Sequence, residues 1–239
     1  MMKALLCGAT PAVSYASIVL ADGAVGYWPL TDTTGTTAED GTTNNRDGTY
    51  TGGYTLADGP LVGSLGNVVA LDGTDDYISI ADADAWSSSA GGSGQITVEA
   101  WIRPSAVNRA ATMIVAKHQE WQLRIESDGK VLWDVNSVGV QEVMAATSSG
   151  ALTANTVYHV VGTYNRATPR LDLWIDGVSV ASDTSVQAAS SSNTTNALRI
   201  GGRSDNAGNE FLGRIGHVAI YPTALTSTQI AAHNTAGRA

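Results

Sequence analysis

A lone cysteine, Cys7, leaves no partner for a disulfide within the chain, and neither a paired-cysteine zinc pattern nor a disulfide framework is available. The fold must therefore stand on packing. Basic residues are also scarce: 13 Lys and Arg stand against 22 Asp and Glu, giving a formal net charge of −9 and a pI near 4.7. Phosphate backbones are held by clustered Lys and Arg, so nucleic acid is excluded as an expected partner. No stretch approaches the roughly 18 consecutive apolar residues of a spanning helix, which excludes insertion into a membrane by that route. The N-terminus has one lysine and an apolar run broken by Gly8 and Pro11, a poor match to a secretory leader, so the expectation is an uncleaved chain made in the cytoplasm. There is no nucleophile elbow, no P-loop and no dinucleotide-binding glycine pattern.

What is present is alternation. Hydrophobic residues make up 43% of the chain and charged ones only 15%, with Thr, Ser, Gly and Asp filling the remainder, enough apolar material for a core. The run I-T-V-E-A-W-I-R-P, residues 96–104, alternates with period two and is closed by a proline. It predicts a central strand with Ile96, Val98, Ala100 and Ile102 on a packed face and Thr97, Glu99, Trp101 and Arg103 on an open one. Further strands are predicted at 25–30, 68–71, 77–80, 113–116, 157–164, 198–200 and 211–221. Asp128-Gly129 suits a two-residue hairpin turn that would set Ile125 opposite Leu132 and Arg124 opposite Trp133. Asp176-Gly177 suits another, with Ile175 facing Val178 and Leu173 facing Val180. Residues 31–53 read as a long polar loop. Tyr15 to Leu20 has helical spacing, and Thr226 with Gln229 forms a capping box for a second short helix through about His233. About a dozen strands and two short terminal helices imply an all-β, two-sheet antiparallel jelly-roll sandwich. The organisation expected is an N-terminal arm over residues 1–22 and one domain over 23–239.

Seven separated stretches carry a resemblance in the right order: V-G-Y-W-P-L-T-D (25–32), D-G-T-T-N-N-R-D-G-T-Y (40–50), L-D-G-T-D-D-Y-I-S-I (71–80), the central strand, N-T-V-Y-H-V-V-G-T-Y-N (155–165), L-D-L-W-I-D-G-V-S-V (171–180) and residues 211–230. Together they resemble the laminin G-like, concanavalin A-like lectin/glucanase jelly-roll family. Residues 14–32 also resemble the lead-in of laminin G-like domains in bacteriophage tail and capsid-surface proteins. The resemblance implies a non-enzymatic virion-surface protein, a capsid decoration or tail protein, that binds glycans on the host surface. The alternatives are a free-standing carbohydrate-binding or adhesion module and, third, a glycanase. The partners implied are other virion proteins reached through the arm, with Leu5, Leu6, Val13, Tyr15, Ile18 and Val19 as its docking side chains, and further copies of the same chain.

Three kinds of site can be named. Family members often hold a structural calcium between the first long loop and the last strand, and Asp32, Asp40, Asn44 and Asp47 would be its ligands here. The family carries an acidic pair in the last strand where this chain has Gly216 and His217, which counts against the ion, and no other cofactor is expected. Sugar rings stack on exposed aromatics, and Trp86 and Trp121, set among polar residues near loops, are the candidates. Glycan hydrolysis needs two carboxylates across the scissile bond. The nearest text is E-S-D-G-K-V (126–131), which lacks the last acid of the glucanase pattern, and Glu99 stands alone, so no catalytic residue is assigned.

Overall fold

The computed structural model describes residues 14–87, 94–137, 140–184, 193–204 and 209–239, with the side chains of 137–144 excepted. Sixteen strands form two eight-stranded antiparallel sheets. Sheet A holds β14 (Val178–Asp183), β13 (Arg170–Ile175), β12 (Tyr158–Asn165), β7 (Gln95–Pro104), β16 (Leu212–Tyr221), β5 (Asn67–Asp72) and β4 (Thr55–Pro60) in that order, with β1 (Gly26–Trp28) also paired to β16. Sheet B runs β11 (Val140–Ala151), β10 (Lys130–Ser137), β9 (Trp121–Ile125), β8 (Thr112–Lys117), β15 (Leu198–Ile200), β6 (Tyr77–Ile80), β3 (Gly48–Thr51) and β2 (Thr37–Ala38). Helices α1 (Tyr15–Ala21) and α2 (Ser227–Arg238) complete the fold.

The all-β sandwich is as expected, and so is the capping box, in which the Gln229 amide N–H donates to Thr226 Oγ1 and the Thr226 N–H to Gln229 Oε1. Helix α2 runs past His233 to Arg238 because Ile230, His233 and Ala236 continue a buried face. The polar stretch 31–53 is not all loop. Ala38, Gly48 and Tyr50 point inward from β2 and β3, an alternation hidden by the Thr and Asp between them.

Ile96, Val98, Ala100 and Ile102 enter the core between the sheets, but the opposite face of β7 is not open. Thr97, Glu99 and Trp101 are equally buried, under a second apolar layer made by Tyr15 and Val19 of α1, Ile230 and Ala236 of α2, and Leu61 and Leu65. The molecule is thus three layers deep on the sheet A side. A period-two pattern reports two different environments, and it cannot say that one of them is water.

Both hairpins differ in register from the expectation. Glu126 and Lys130 close a three-residue loop in which Gly129 takes φ +81°, so Ile125 pairs with Val131 and Arg124 with Leu132. The one-residue slip puts Arg124 on the face opposite Trp133. At the other tip Asp176 and Gly177 both have positive φ and Ile175 does face Val178, but a bulge after Leu173 makes its partner Ala181.

Helix α1 belongs to the folded unit. Tyr15 and Val19 are buried by the chain's own sheet and Ile18 is half-buried, whereas Leu5, Leu6 and Val13 lie outside the described residues. The helix of the expected arm thus packs Tyr15 and Val19 on the domain, while Leu20 stays exposed.

Candidate functional site

Two polar clusters lie on the outer faces of the two sheets. On sheet A the centre is Glu99, fully buried in β7. Its Oε1 accepts from the Tyr221 hydroxyl at 2.5 Å, its Oε2 from His159 Nε2 at 3.0 Å, and His233 Nδ1 lies 3.0 and 3.1 Å from the two oxygens. His233 Nε2 reaches Asp22 Oδ2 at 2.9 Å, so both ring nitrogens of α2's histidine face carboxylates and donate to them. Burial raises the Glu99 pKa, but the hydrogen bonds and charges of His159 and His233 outweigh it and hold the carboxyl well below the usual range. For His233, burial lowers the pKa and is outweighed by Glu99 and Asp22, leaving it raised. Tyr15 plugs the cluster, meeting the rings of Trp101, His159, His217 and His233 edge-on.

His217 stands beside this network. It sits at φ +50° in the bulge of β16 where the family places its acidic pair, accepts from the Tyr27 hydroxyl at Nδ1 (2.8 Å) and donates from Nε2 to the Leu65 carbonyl (2.7 Å). Burial pushes its pKa down to about 4. Glu99 accordingly works as a tie between β7, β12, β16 and α2, and through His233 to Asp22 at the end of α1. It is sealed from solvent.

The expected calcium ligands are engaged by groups of the chain itself. Both oxygens of Asp40 are already used: Oδ1 accepts from the Tyr27 and Thr42 amides, and Oδ2 from Thr42 Oγ1 and the Arg46 amide, all at 2.9–3.0 Å. Asp47 accepts from the Asp40 amide, Asn44 donates to the Val25 carbonyl, and Asp32 accepts from Tyr50. These are side chains organising a loop. The acidic group that does gather, among the described residues, is Asp72, Asp75 and Asp76, whose carboxylate oxygens lie within 4.8 Å. There Asp72 Oδ1 caps the Thr74 amide and Asp76 Oδ2 the Asp72 amide, closing the β5–β6 turn.

Trp86 and Trp121 are brought together, but in the core. Both have 0% exposure. The Trp121 indole donates to the Trp86 carbonyl at 2.7 Å, and that of Trp86 to the Ala81 carbonyl at 3.2 Å. With each N–H satisfied, an indole can be buried completely, and the polar neighbours that made these residues look exposed are buried too, Glu120 at 0% and Ser87 at 5%. Neither offers a ring to a ligand.

On sheet B the outer face carries a polar row across its strands. Register aligns Thr49, Ser79, Arg199, Ala116, Gln122 and Asp134 on β3, β6, β15, β8, β9 and β10. Arg124, one step along, is held by Asp134, by Glu126 at 2.5 Å and by the Gln122 carbonyl oxygen at 3.3 Å. Its fork is thereby fixed in place. Further along, the Arg199 guanidinium lies 4.0 Å from the centroid of the Tyr77 ring. Of these groups Gln122, Arg124 and Asp134 are buried, and Ser79 and Arg199 are the half-buried ones. The sequence offered a signal for the row in the alternating Q-L-R-I, L-W-D-V and L-R-I strands, but the assumed hairpin register assigned Arg124 to the wrong face.

The profile of the concanavalin A-like lectin/glucanases superfamily matches residues 72–231. The chain belongs to that superfamily. Among solved structures it is similar to domain 4 of AbnA, a GH43 extracellular arabinanase from Geobacillus stearothermophilus, in complex with arabinotriose, at 20% identity and a TM-score of 0.66, covering 88% of this chain and 98% of that one. The binding domain of Paraclostridial Mosquitocidal Protein 1 matches at 16% and 0.64, over 90% of this chain and 52% of that one. The ligand binding domain of botulinum neurotoxin serotype D with N-acetylneuraminic acid matches at 15% and 0.62, over 93% and 52%. The superfamily member thus spans about half the length of these toxin structures. No curated protein matches it in sequence. No helix among the described residues is long and apolar enough to cross a membrane.

Proposed function

We propose that this chain is a non-enzymatic carbohydrate-binding protein that uses the outer face of sheet B, and that it is displayed on a virion surface. The observation that carries the binding reading is the polar row Ser79, Arg199, Gln122, Asp134 with Arg124 beside it. Both α1 and α2 pack on sheet A; within this row Ser79 and Arg199 are half-buried and within reach of a ligand, while Gln122, Arg124 and Asp134 are buried behind them. Sugars are recognised by such fixed donors and acceptors aimed at their hydroxyls. The AbnA domain and the serotype D toxin domain, of the same fold, were solved with arabinotriose and N-acetylneuraminic acid, which supports the ligand class.

The non-enzymatic part is supported by the acids themselves. Glu99 is sealed beneath two helices, and the hairpin acids Glu126 and Asp128 are paired with Arg124 and Lys130. The virion part is supported by the resemblance of residues 14–32 to phage lead-ins, and attachment is assigned to residues preceding Tyr15. A glycan array probed with the purified chain tests the ligand reading: binding to at least one glycan class that is weakened in Gln122→Ala is expected, and a blank array would overturn it. A mass-spectrometric inventory of particles from a phage carrying this chain is expected to contain it, and its absence would discard the virion assignment.

A further inference from the structure

Among the groups on the outer face of sheet B, the two arginines of the row are not equivalent. Arg124 is already neutralised, by the buried Asp134 and by Glu126. Arg199 is not. Its Nη1 donates to the Arg203 carbonyl at 3.0 Å and its plane rests on Tyr77, and among the described residues no carboxylate meets it. Its Nε–H and the neighbouring Ser204 hydroxyl are both buried without a hydrogen-bond partner. A guanidinium that is stacked on a ring, flanked across the sheet by the small side chains of Ser79 and Ala116, and left with an unpaired N–H is a costly arrangement in an apo protein. Such a group matches an oxyanion, which a guanidinium grips through two N–H donors at once.

The surrounding charge sharpens the assignment. With a net charge of −9 the chain offers no general attraction to polyanions, so a cation held unneutralised at the middle of this face acts through contact and not through the field of the whole protein. The Ser79 hydroxyl lies across the ladder from Arg199, and the buried Gln122 amide lies one strand beyond Ala116. The set is an anion contact surrounded by groups suited to hydroxyls.

We propose that Arg199 is the selectivity-determining contact for an acidic sugar, a glycan whose carboxylate or sulfate seats against the guanidinium stacked on Tyr77. The inference rests on the reading that this face binds glycans. Matched probes separate the two: lactose as the neutral ligand, 3′-sialyllactose carrying a carboxylate and 3′-sulfolactose carrying a sulfate, each titrated by calorimetry, within a wider array of neutral and acidic glycans. Wild type is expected to prefer the acidic member of a pair, and Arg199→Gln to lose that preference by about tenfold or more while remaining folded by circular dichroism. Arg199→Lys, which keeps the charge and removes the fork, is expected to fall between them and serves if the Gln variant does not fold. Carboxylate against sulfate tells which anion is taken. Equal binding of neutral and acidic members, or a preference untouched in both variants, would overturn the inference and leave glycan binding standing. A wild-type chain that binds nothing on the array would remove both.

Discussion

The two sheets of this sandwich both carry charged residues on their outer faces and use them in opposite ways. On sheet A, Glu99, His159 and His233 are fully buried, and their charges are spent on each other and on Asp22 to fasten two short helices. On sheet B no helix packs over the row, Arg124 and Gln122 are buried against Asp134 and each other, and half-buried Arg199 keeps a donor unpaired. The same alternating strand pattern thus produces a sealed clasp on one side and, on the other, a polar row whose Arg124, Gln122 and Asp134 are buried while Ser79 and Arg199 are half-buried. What differs is that two helices pack on sheet A and neither packs on sheet B.

The largest expected effect breaks the clasp. Glu99→Ala strands His233, His159 and the Tyr221 hydroxyl in a dry site, and a cost of about 3–5 kcal/mol is expected from urea denaturation. Glycan binding by sheet B, measured where the variant is still folded, is expected to be unchanged. The opposite outcome, little destabilisation and lost binding, would exchange the roles of the two faces.

Acid tests the same side next. His217 is buried and neutral with its pKa lowered to about 4, so the unfolded chain, near 6.5, takes up the proton first. Its contribution is fully present above about pH 6.5 and is lost as pH falls toward 4, by up to roughly 3 kcal/mol. His233 has the opposite sign: its raised pKa gives stability present below about 6.5 and lost as pH rises through the folded value. Stability measured from pH 4 to 8 is expected to climb on the acid side, and His217→Gln to flatten that limb.

Between the sheets, Gly162 of β12 lies against the Trp133 indole, whose N–H donates to the Thr163 carbonyl at 3.1 Å. Gly162→Ala places a methyl within the ring and is expected to cost about 1–3 kcal/mol. Thr226→Ala, which removes the cap of α2, is expected to cost about 1 kcal/mol. Gln122→Ala on sheet B removes a buried acceptor of Arg124 and is expected to cost about 1 kcal/mol while weakening glycan binding. A larger loss would show that Gln122 belongs to the framework.

These contrasts explain what could be read in advance. The strands of sheet A were legible because Val98, Ala100 and Ile102 alternate without interruption, and the cap of α2 because Thr226 and Gln229 are a local pair. What could not be read depended on contacts distant in sequence. Glu99 meets His233 134 residues away, so nothing near Glu99 announces that its face is covered. Trp86 and Trp121 looked exposed from their neighbours, yet each reaches a carbonyl that only the fold supplies. The hairpin at Gly129 shows the same limit locally: Asp-Gly fits both a two-residue and a three-residue loop, and a single residue moved Arg124 from one face to the other.

Chemical-shift mapping with the glycan selected by the array tests the central claim most directly. The account predicts that amide shifts on titration concentrate in β6, β15, β8, β9 and β10 around Ser79, Arg199, Gln122 and Asp134, with the amides of α1, α2 and β7 unmoved. Shifts centred on Glu99, His159 and the two helices would contradict it.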